Sequence, residues 1–263
     1  MREECPSCGA ILAESLIRRT LLHEAKMSPP PKIQTADTLL NLDKLRFDIP
    51  AIDSFIELTT KDLCCIYGYG ANVLLTRLCV RSLLPEKHGG LNSPYVMVAD
   101  ASNHTDVYSA VNFARQYGIS KRNVADRILV VRAFTVHQVR RLISIELPQI
   151  ILKYQARCVI IPGLLNTFDE EDPGRCMNKD PKKEISRIIE VINELSTRVL
   201  VLTSVQQGDN NSRYAESVLR AFKKRVNLIR KDKYGALKAE IYNQGDCKVV
   251  TLTERETKII SKK

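Results

Sequence analysis

No apolar run in the 263 residues reaches the roughly 18 needed to cross a bilayer, so a membrane-spanning helix is not expected. The opening stretch MREECPSCG carries no apolar segment behind a basic one, so nothing marks the chain for secretion, and the expected compartment is the cytoplasm. No internal repeat is present, which leaves repeat architectures aside. There is one CxxC and no second, so a four-ligand structural zinc site is at most half encoded. What remains is a chain with 44% hydrophobic residues, long enough to bury a full core, whose length suits one large domain plus an appendage.

In a reducing compartment the eight cysteines read as thiols or metal ligands rather than disulfides. Cys64, Cys65, Cys79 and Cys158 lie inside apolar stretches, where a small hydrophobe packs well, and are expected in the core. The formal net charge of +10 favours a polyanionic partner, although a basic surface can also serve solubility alone.

Residues 1–27 hold the CxxC and a helical pattern in which Leu12, Leu16, Ile17 and Leu21 recur, and Ser28-Pro29-Pro30-Pro31 then favours an extended connector. We place the appendage at 1–34 and the main domain at 35–263. From residue 55 the apolar runs LCCIYG, YVMVAD, RILVVR, RCVIIPG and RVLVLTS read as buried strands. Helical periodicity separates them at 72–84, 105–117, 136–153 and 182–196. Alternation of this kind predicts a mostly parallel α/β sheet covered on both faces, with functional loops at the C-terminal strand ends. Past residue 225, RVNLI, LKAEIY and CKVVTL predict antiparallel strands finishing one edge.

Several stretches, in this order, carry a family pattern. RFDIPAIDSFIELTTKDLCCIYG resembles a lead-in turn and the strand entering a phosphate-binding loop. YVMVADAS resembles the strand that precedes a catalytic glutamate. FARQYGISKRNVADRILVVRAFTVHQVRRLI follows a helix, Tyr-Gly turn, strand and Arg-Ala-Phe order, and RKDKYGALKAEIYN resembles a late basic hairpin. Together, over roughly residues 45–252, they resemble the ATPase core of the archaeal RadA/RadB recombinases and their RecA relatives. The resemblance implies a RecA-like α/β core with helices on both faces of the sheet.

Measured against that pattern, the chemistry is missing. A phosphate loop needs GxxxxGK[ST], so that amides wrap the phosphates, the lysine offsets their charge and the hydroxyl holds magnesium. Here Gly68, Tyr69, Gly70, Ala71 and Asn72 form a degenerate loop about three residues short, without the Lys-Thr pair. Thr76 and Arg77 follow, and Arg77 is expected on the helix surface. With Asp100 aligned to the family's aspartate, the water-orienting glutamate falls at Ser102 and the magnesium carboxylate at Pro162. Losing all three removes nearly every electrostatic contribution to phosphoryl transfer, so neither ATP binding nor ATPase activity is expected.

Three further constellations carry two readings each. Cys5 and Cys8, in CPSCG, form either half of a zinc knuckle or an unmetallated tail. The missing ligands could come from a second copy in a homodimer, from a partner, or from Cys176 or Cys247. Asp100, His104 and Asp106 have metal-ligand character, but Thr105 as a helix N-cap with Asp106 at the N-terminal dipole explains them better. The resemblance places one DNA loop at Asp169 to Arg175, which opens with four carboxylates that would repel phosphate, and a second at residues 206–214. Just beyond lie Arg213, Arg220, Lys223, Lys224, Arg225, Arg230, Lys231 and Lys233 against Glu216 and Asp232, either a DNA-binding face or a solvated one. Lys223, Lys224 and Arg225 are expected to end a helix, with Tyr214 and Phe222 as possible stacking platforms.

The resulting expectation is a non-catalytic accessory or scaffold protein of DNA recombination and repair. It would bind single-stranded DNA, a RadA-type recombinase, or both, and would be nucleoid-associated if DNA binds. The alternative is a docking subunit of an assembly unrelated to DNA.

Overall fold

The computed structural model of the chain describes residues 43–102, 105–170, 181–205, 214–230 and 236–261, all within the compact unit Leu42–Lys263. The N-terminal appendage, Cys5, Cys8, His104, Cys176, Arg213, Lys231 and Lys233 lie outside the described residues.

The lead-in folds as strand β1 (Lys44–Leu45), a single helical turn α1 (Pro50–Asp53) at the end of RFDIPAID, and strand β2 (Leu58–Thr59), with β1 and β2 antiparallel. Proline fits the first turn of a helix, where its missing N–H costs nothing. Asp53 then folds the segment back on itself by accepting hydrogen bonds from the amides of Phe47 (2.7 Å) and Ile49 (3.1 Å).

The alternating section follows as β3 (Leu63–Gly68), α2 (Ala71–Arg81), β4 (Val96–Asp100), α3 (Val107–Gln116), α4 (Lys121–Arg127) and β5 (Ile128–Arg132). It continues as α5 (Val136–Arg141), a π turn over Leu142–Glu146, α6 (Leu147–Tyr154), β6 (Cys158–Ile161), α7 (Asn166–Glu170) and α8 (Pro181–Ser196). The chain then runs through β7 (Leu200–Val205), α9 (Ala215–Arg220), β8 (Lys224–Arg230), β9 (Leu237–Asn243), β10 (Asp246–Thr251) and α10 (Glu254–Ser261).

These strands form one eight-stranded sheet in the order β10-β9-β8-β3-β7-β6-β4-β5, parallel from β8 to β5. β9 and β10 add antiparallel strands at one edge, as expected. RVNLI, expected among the antiparallel strands, pairs antiparallel with β9 on one side but runs parallel to β3 on the other, with Cys64 opposite Lys224. A parallel neighbour needs a crossover, and α9 lies in the connection that brings the chain from β7 back to β8.

Side chains alternate across a strand, so each central strand feeds two cores. Cys64 and Ile66 pack with α2, α3 and α10, while Cys65 and Tyr67 pack with the opposite layer of α5 to α9. The four cysteines expected in the core are all buried there, and burial pushes the thiols of Cys64 and Cys158 up to about 12. Cys247 is exposed on β10.

Two helical expectations change. The segment 136–153 is not one α-helix, because Pro148 has no amide to donate to the carbonyl four residues back and the chain widens into a π turn just before it. The N-cap of α3 is Asp106 rather than Thr105. Asp106 accepts from the amides of Tyr108 (2.9 Å) and Ser109 (3.1 Å), while the Thr105 amide donates to Asp100. Among the described residues no helix is long and apolar enough to cross a membrane.

Candidate functional site

The loop at residues 68–72, expected to be degenerate, is a tight turn. Only Tyr69 and Gly70 separate the end of β3 from the start of α2, and both glycines have left-handed backbone, with φ of +86° at Gly68 and +73° at Gly70. A Cβ on Gly68 would stand 2.3 Å from the Leu228 carbonyl oxygen, and one on Gly70 would stand 2.6 Å from Cγ2 of Ile260. The Tyr69 amide donates to Leu228 at 2.7 Å, so one N–H that could have faced a phosphate is committed to β8. A helix N-terminus is the natural seat for a phosphate, yet the last turn of α10 stands over the start of α2 through the buried Ile260.

The next residues join the turn to its neighbouring strands. Asn72 accepts a hydrogen bond from the Ser204 hydroxyl at the end of β7 (2.7 Å), and that hydroxyl accepts one from the Gly163 amide (2.9 Å). Gly163 has φ of +59°, and a Cβ on it would meet Cβ of Ser102 at 2.4 Å. The sequence-derived positions at 68–72, Ser102 and Pro162 are therefore gathered at the C-terminal ends of β3, β4 and β6, with β7 linking them. Ser102 and Pro162 bring no carboxylate to this place.

Asp100 ends β4, and it is fully buried. It accepts hydrogen bonds from the Ser102 amide (3.1 Å), the Ser102 hydroxyl (2.9 Å) and the Thr105 amide (3.0 Å), with Arg132 at 3.7 Å. Burial raises its pKa, but the hydrogen bonds from Thr105 and Ser102 outweigh that and hold the carboxyl below its usual range. Asp106 is occupied by its own helix and by the Ser109 hydroxyl at 2.6 Å. Among the described residues no group of three His, Cys, Asp or Glu side chains could hold a metal.

The basic segment is dispersed. Lys223, Lys224 and Arg225 do not end a helix: α9 stops at Arg220, and Lys224 opens β8. Adjacent strand residues face opposite sides, so Lys224 and Arg225 cannot present one surface. Lys224 donates to the Glu57 carbonyl (2.6 Å) and to Asp62 (2.7 Å) with a side chain only 12% exposed. Arg225 donates to the Leu219 carbonyl (3.0 Å) and lies 4.4 Å over the Tyr242 ring. Arg220 pairs with Glu216 at 2.5 Å, and Arg230 lies 5.3 Å over the ring of Tyr69 in the degenerate turn. Lys223 is exposed, Phe222 is buried in the core, and Tyr214 packs half-buried against the same core. Of the acidic loop, Asp169 and Glu170 belong to α7, and residues 171–175 lie outside the described residues.

Arg77, expected on the surface, is buried and pairs with Asp48 at 2.5 Å. Arg81 shares that carboxylate at 3.2 Å, and Tyr117 lies under both guanidinium groups at 5.4 and 5.2 Å. Asp48 sits 29 residues before Arg77 in the turn leading to α1, so nothing local to the helix could have announced the pair.

A fold of parallel strands with a phosphate-loop position at the end of β3 calls for comparison with known families, and the Rad51 family model matches residues 55–219. The chain belongs to the Rad51 family. The matched stretch runs from Phe55 to Leu219, so the Rad51-family region includes the degenerate turn, Ser102 and Pro162. β8, β9, β10 and α10 lie beyond it. No curated protein matches the chain.

Proposed function

We propose that this Rad51-family protein is a non-catalytic accessory factor in recombination and repair, holding single-stranded DNA, a recombinase partner, or both. One observation carries the reading: the positions that the recombinase pattern assigns to phosphate, water and magnesium lie at the C-terminal ends of β3, β4 and β6 and carry neither the lysine nor the two carboxylates. The turn at 68–72 has no Lys-Thr pair, and Ser102 and Pro162 stand where carboxylates are required. The contact of Ile260 with Gly70 supports it further, because a nucleotide would have to displace a buried side chain.

The test is Mg-ATP turnover and thermal stabilisation by millimolar Mg-ATP, both expected to be absent. Turnover abolished by changing residues 68–72 would overturn the reading.

A second reading, a docking subunit of an assembly unrelated to DNA, is favoured by the engagement of Lys224 and Arg225 with partners inside the fold. Single-stranded DNA affinity measured across a salt series separates the two, since phosphate contacts make log affinity fall with log salt.

A further inference from the structure

A cavity of about 230 Å³ lies between α2, α3 and α4 on one side and β4, β5 and β6 on the other. Its walls are apolar, formed by Leu75, Val98, Ala110, Val124 and Val130 among others. Ala110 lines the space with a methyl group where a longer side chain would fill it. Interiors are ordinarily packed to crystal density, and apolar voids of about 150 Å³ stay dry and accept benzene or xenon. A void of the present size has room for a larger guest.

Polar groups gather at one end of the cavity, beside the C-terminal ends of β4 and β6: Asn72, Thr76, Thr105 and Asp106. Their bonding decides the class of guest. The Asn72 side-chain oxygen is taken by Ser204, while its amide nitrogen makes no hydrogen bond to another described residue and is available as a donor. Asp106 presents a carboxylate held by the amides of Tyr108 and Ser109. An anion would therefore meet a fixed negative charge and an apolar wall, and a cation would find that carboxylate at the exposed mouth, already accepting from two amides and the Ser109 hydroxyl, with only apolar wall further in. An uncharged molecule with one acceptor meets neither cost. Pockets of this composition, mainly apolar with a few converging polar groups, are the general form of small-molecule sites.

We propose that this cavity is a binding site for a small uncharged molecule, aromatic or short-chain aliphatic, whose single hydrogen-bond acceptor meets the Asn72 amide. The site is separate from the nucleotide position in chemistry, since it excludes phosphate, but it shares Asn72 with the degenerate turn. Occupancy would therefore bear on the same strand ends that the family uses for nucleotide.

The experiment titrates the full chain with anisole, an aromatic molecule with one ether oxygen as acceptor, and with 1-hexanol. Saturable binding is expected, with a rise in Tm of about 2–4 °C where the ligand stands at about five times its Kd, and with nuclear Overhauser contacts from anisole to the methyl groups of Leu75 and Val130. Ala110→Leu fills the cavity and is expected to keep or raise the parent Tm while abolishing the response to both probes. Val124→Phe serves as a second filling variant. Absence of saturable binding by the parent, absence of the Leu75 and Val130 contacts, or an undiminished response in a folded filling variant each overturns the proposal.

Discussion

Ile260 and Gly70 meet at the place where α10 closes over the start of α2: a Cβ on Gly70 would lie 2.6 Å from Ile260 Cγ2 and 3.1 Å from its carbonyl oxygen. Gly70 also has φ of +73°, so an alanine there suffers both the left-handed backbone and the collision. Gly70→Ala is expected to destabilise the protein by about 2–4 kcal/mol, with the backbone part near 1–2 kcal/mol. In an Ile260→Ala background the side-chain collision is removed, and the added cost of Gly70→Ala should shrink by about 1 kcal/mol or more. Urea unfolding of the four variants in this cycle measures the coupling, and simple additivity would show that α10 does not stand over the turn.

Asp100 should make stability depend on acid. Its folded pKa lies below the ordinary value of 3.8, so the unfolded chain binds the proton more readily. The stabilisation is therefore complete above pH 3.8 and is lost as pH falls through the lower folded value. Asp100→Asn, which gives up part of the set of hydrogen bonds from Ser102 and Thr105, is expected to cost about 1–3 kcal/mol at pH 7. The difference between variant and parent should narrow in urea titrations carried from pH 5 to pH 2.5. A constant difference over that range would exclude this account.

The buried guanidinium pair gives a third expectation. Asp48→Ala leaves Arg77 and Arg81 together over Tyr117 without their shared carboxylate, and about 2–4 kcal/mol should be lost. Asp48 itself is half exposed, which places the cost below that of a fully enclosed pair. Arg77→Met, which keeps volume and removes one of the two charges, should cost less than Asp48→Ala. Thermal unfolding ranks the two, and the reverse order would mean that the carboxylate is dispensable.

The sheet was readable because buried parallel strands are continuous apolar runs, and LCCIYG, YVMVAD and RVLVLTS have that form regardless of distant context. The positions at 68–72, Ser102 and Pro162 came from the resemblance to the recombinase pattern rather than from these runs, and each follows a strand end. Other features had a local signal that went unread: Thr253 and Glu256 form a reciprocal capping box that starts α10, and Ser120 caps α4. What local sequence could not carry were partnerships across long separations. Arg77 finds Asp48 29 residues away, and Lys224 finds Asp62 162 residues away, so both cations look like surface charges until the chain is folded. The same blindness made Lys223, Lys224 and Arg225 look like one patch.

Lys224 and the exposed cations Lys223 and Arg230 should respond differently to removal. Lys224 is enclosed with Asp62, their side chains 12% and 18% exposed, and also donates to the Glu57 carbonyl, so it holds β8 to the lead-in hairpin rather than facing solvent. Lys224→Ala should therefore lower stability by about 1–3 kcal/mol, because Asp62 is left without its charged partner. It should leave the salt dependence of single-stranded DNA binding unchanged. Lys223 and Arg230 are exposed, and if DNA lies along this side of the molecule each contributes a phosphate contact. Removing one such contact flattens the slope of log affinity against log salt by about 0.7 on single strands. Lys223→Ala and Arg230→Ala should each produce that change with little effect on Tm. Arg230→Ala also removes the cation from above Tyr69, which permits a small stability loss of about 0.5–1 kcal/mol. Fluorescence anisotropy with a labelled oligonucleotide, measured across a salt series for the parent and the three variants, gives the slopes. If Lys224→Ala alone flattens the slope, the ion pair with Asp62 is not what occupies that lysine. If none of the three does, the exposed cations of this segment do not contact DNA and the docking-subunit reading takes precedence.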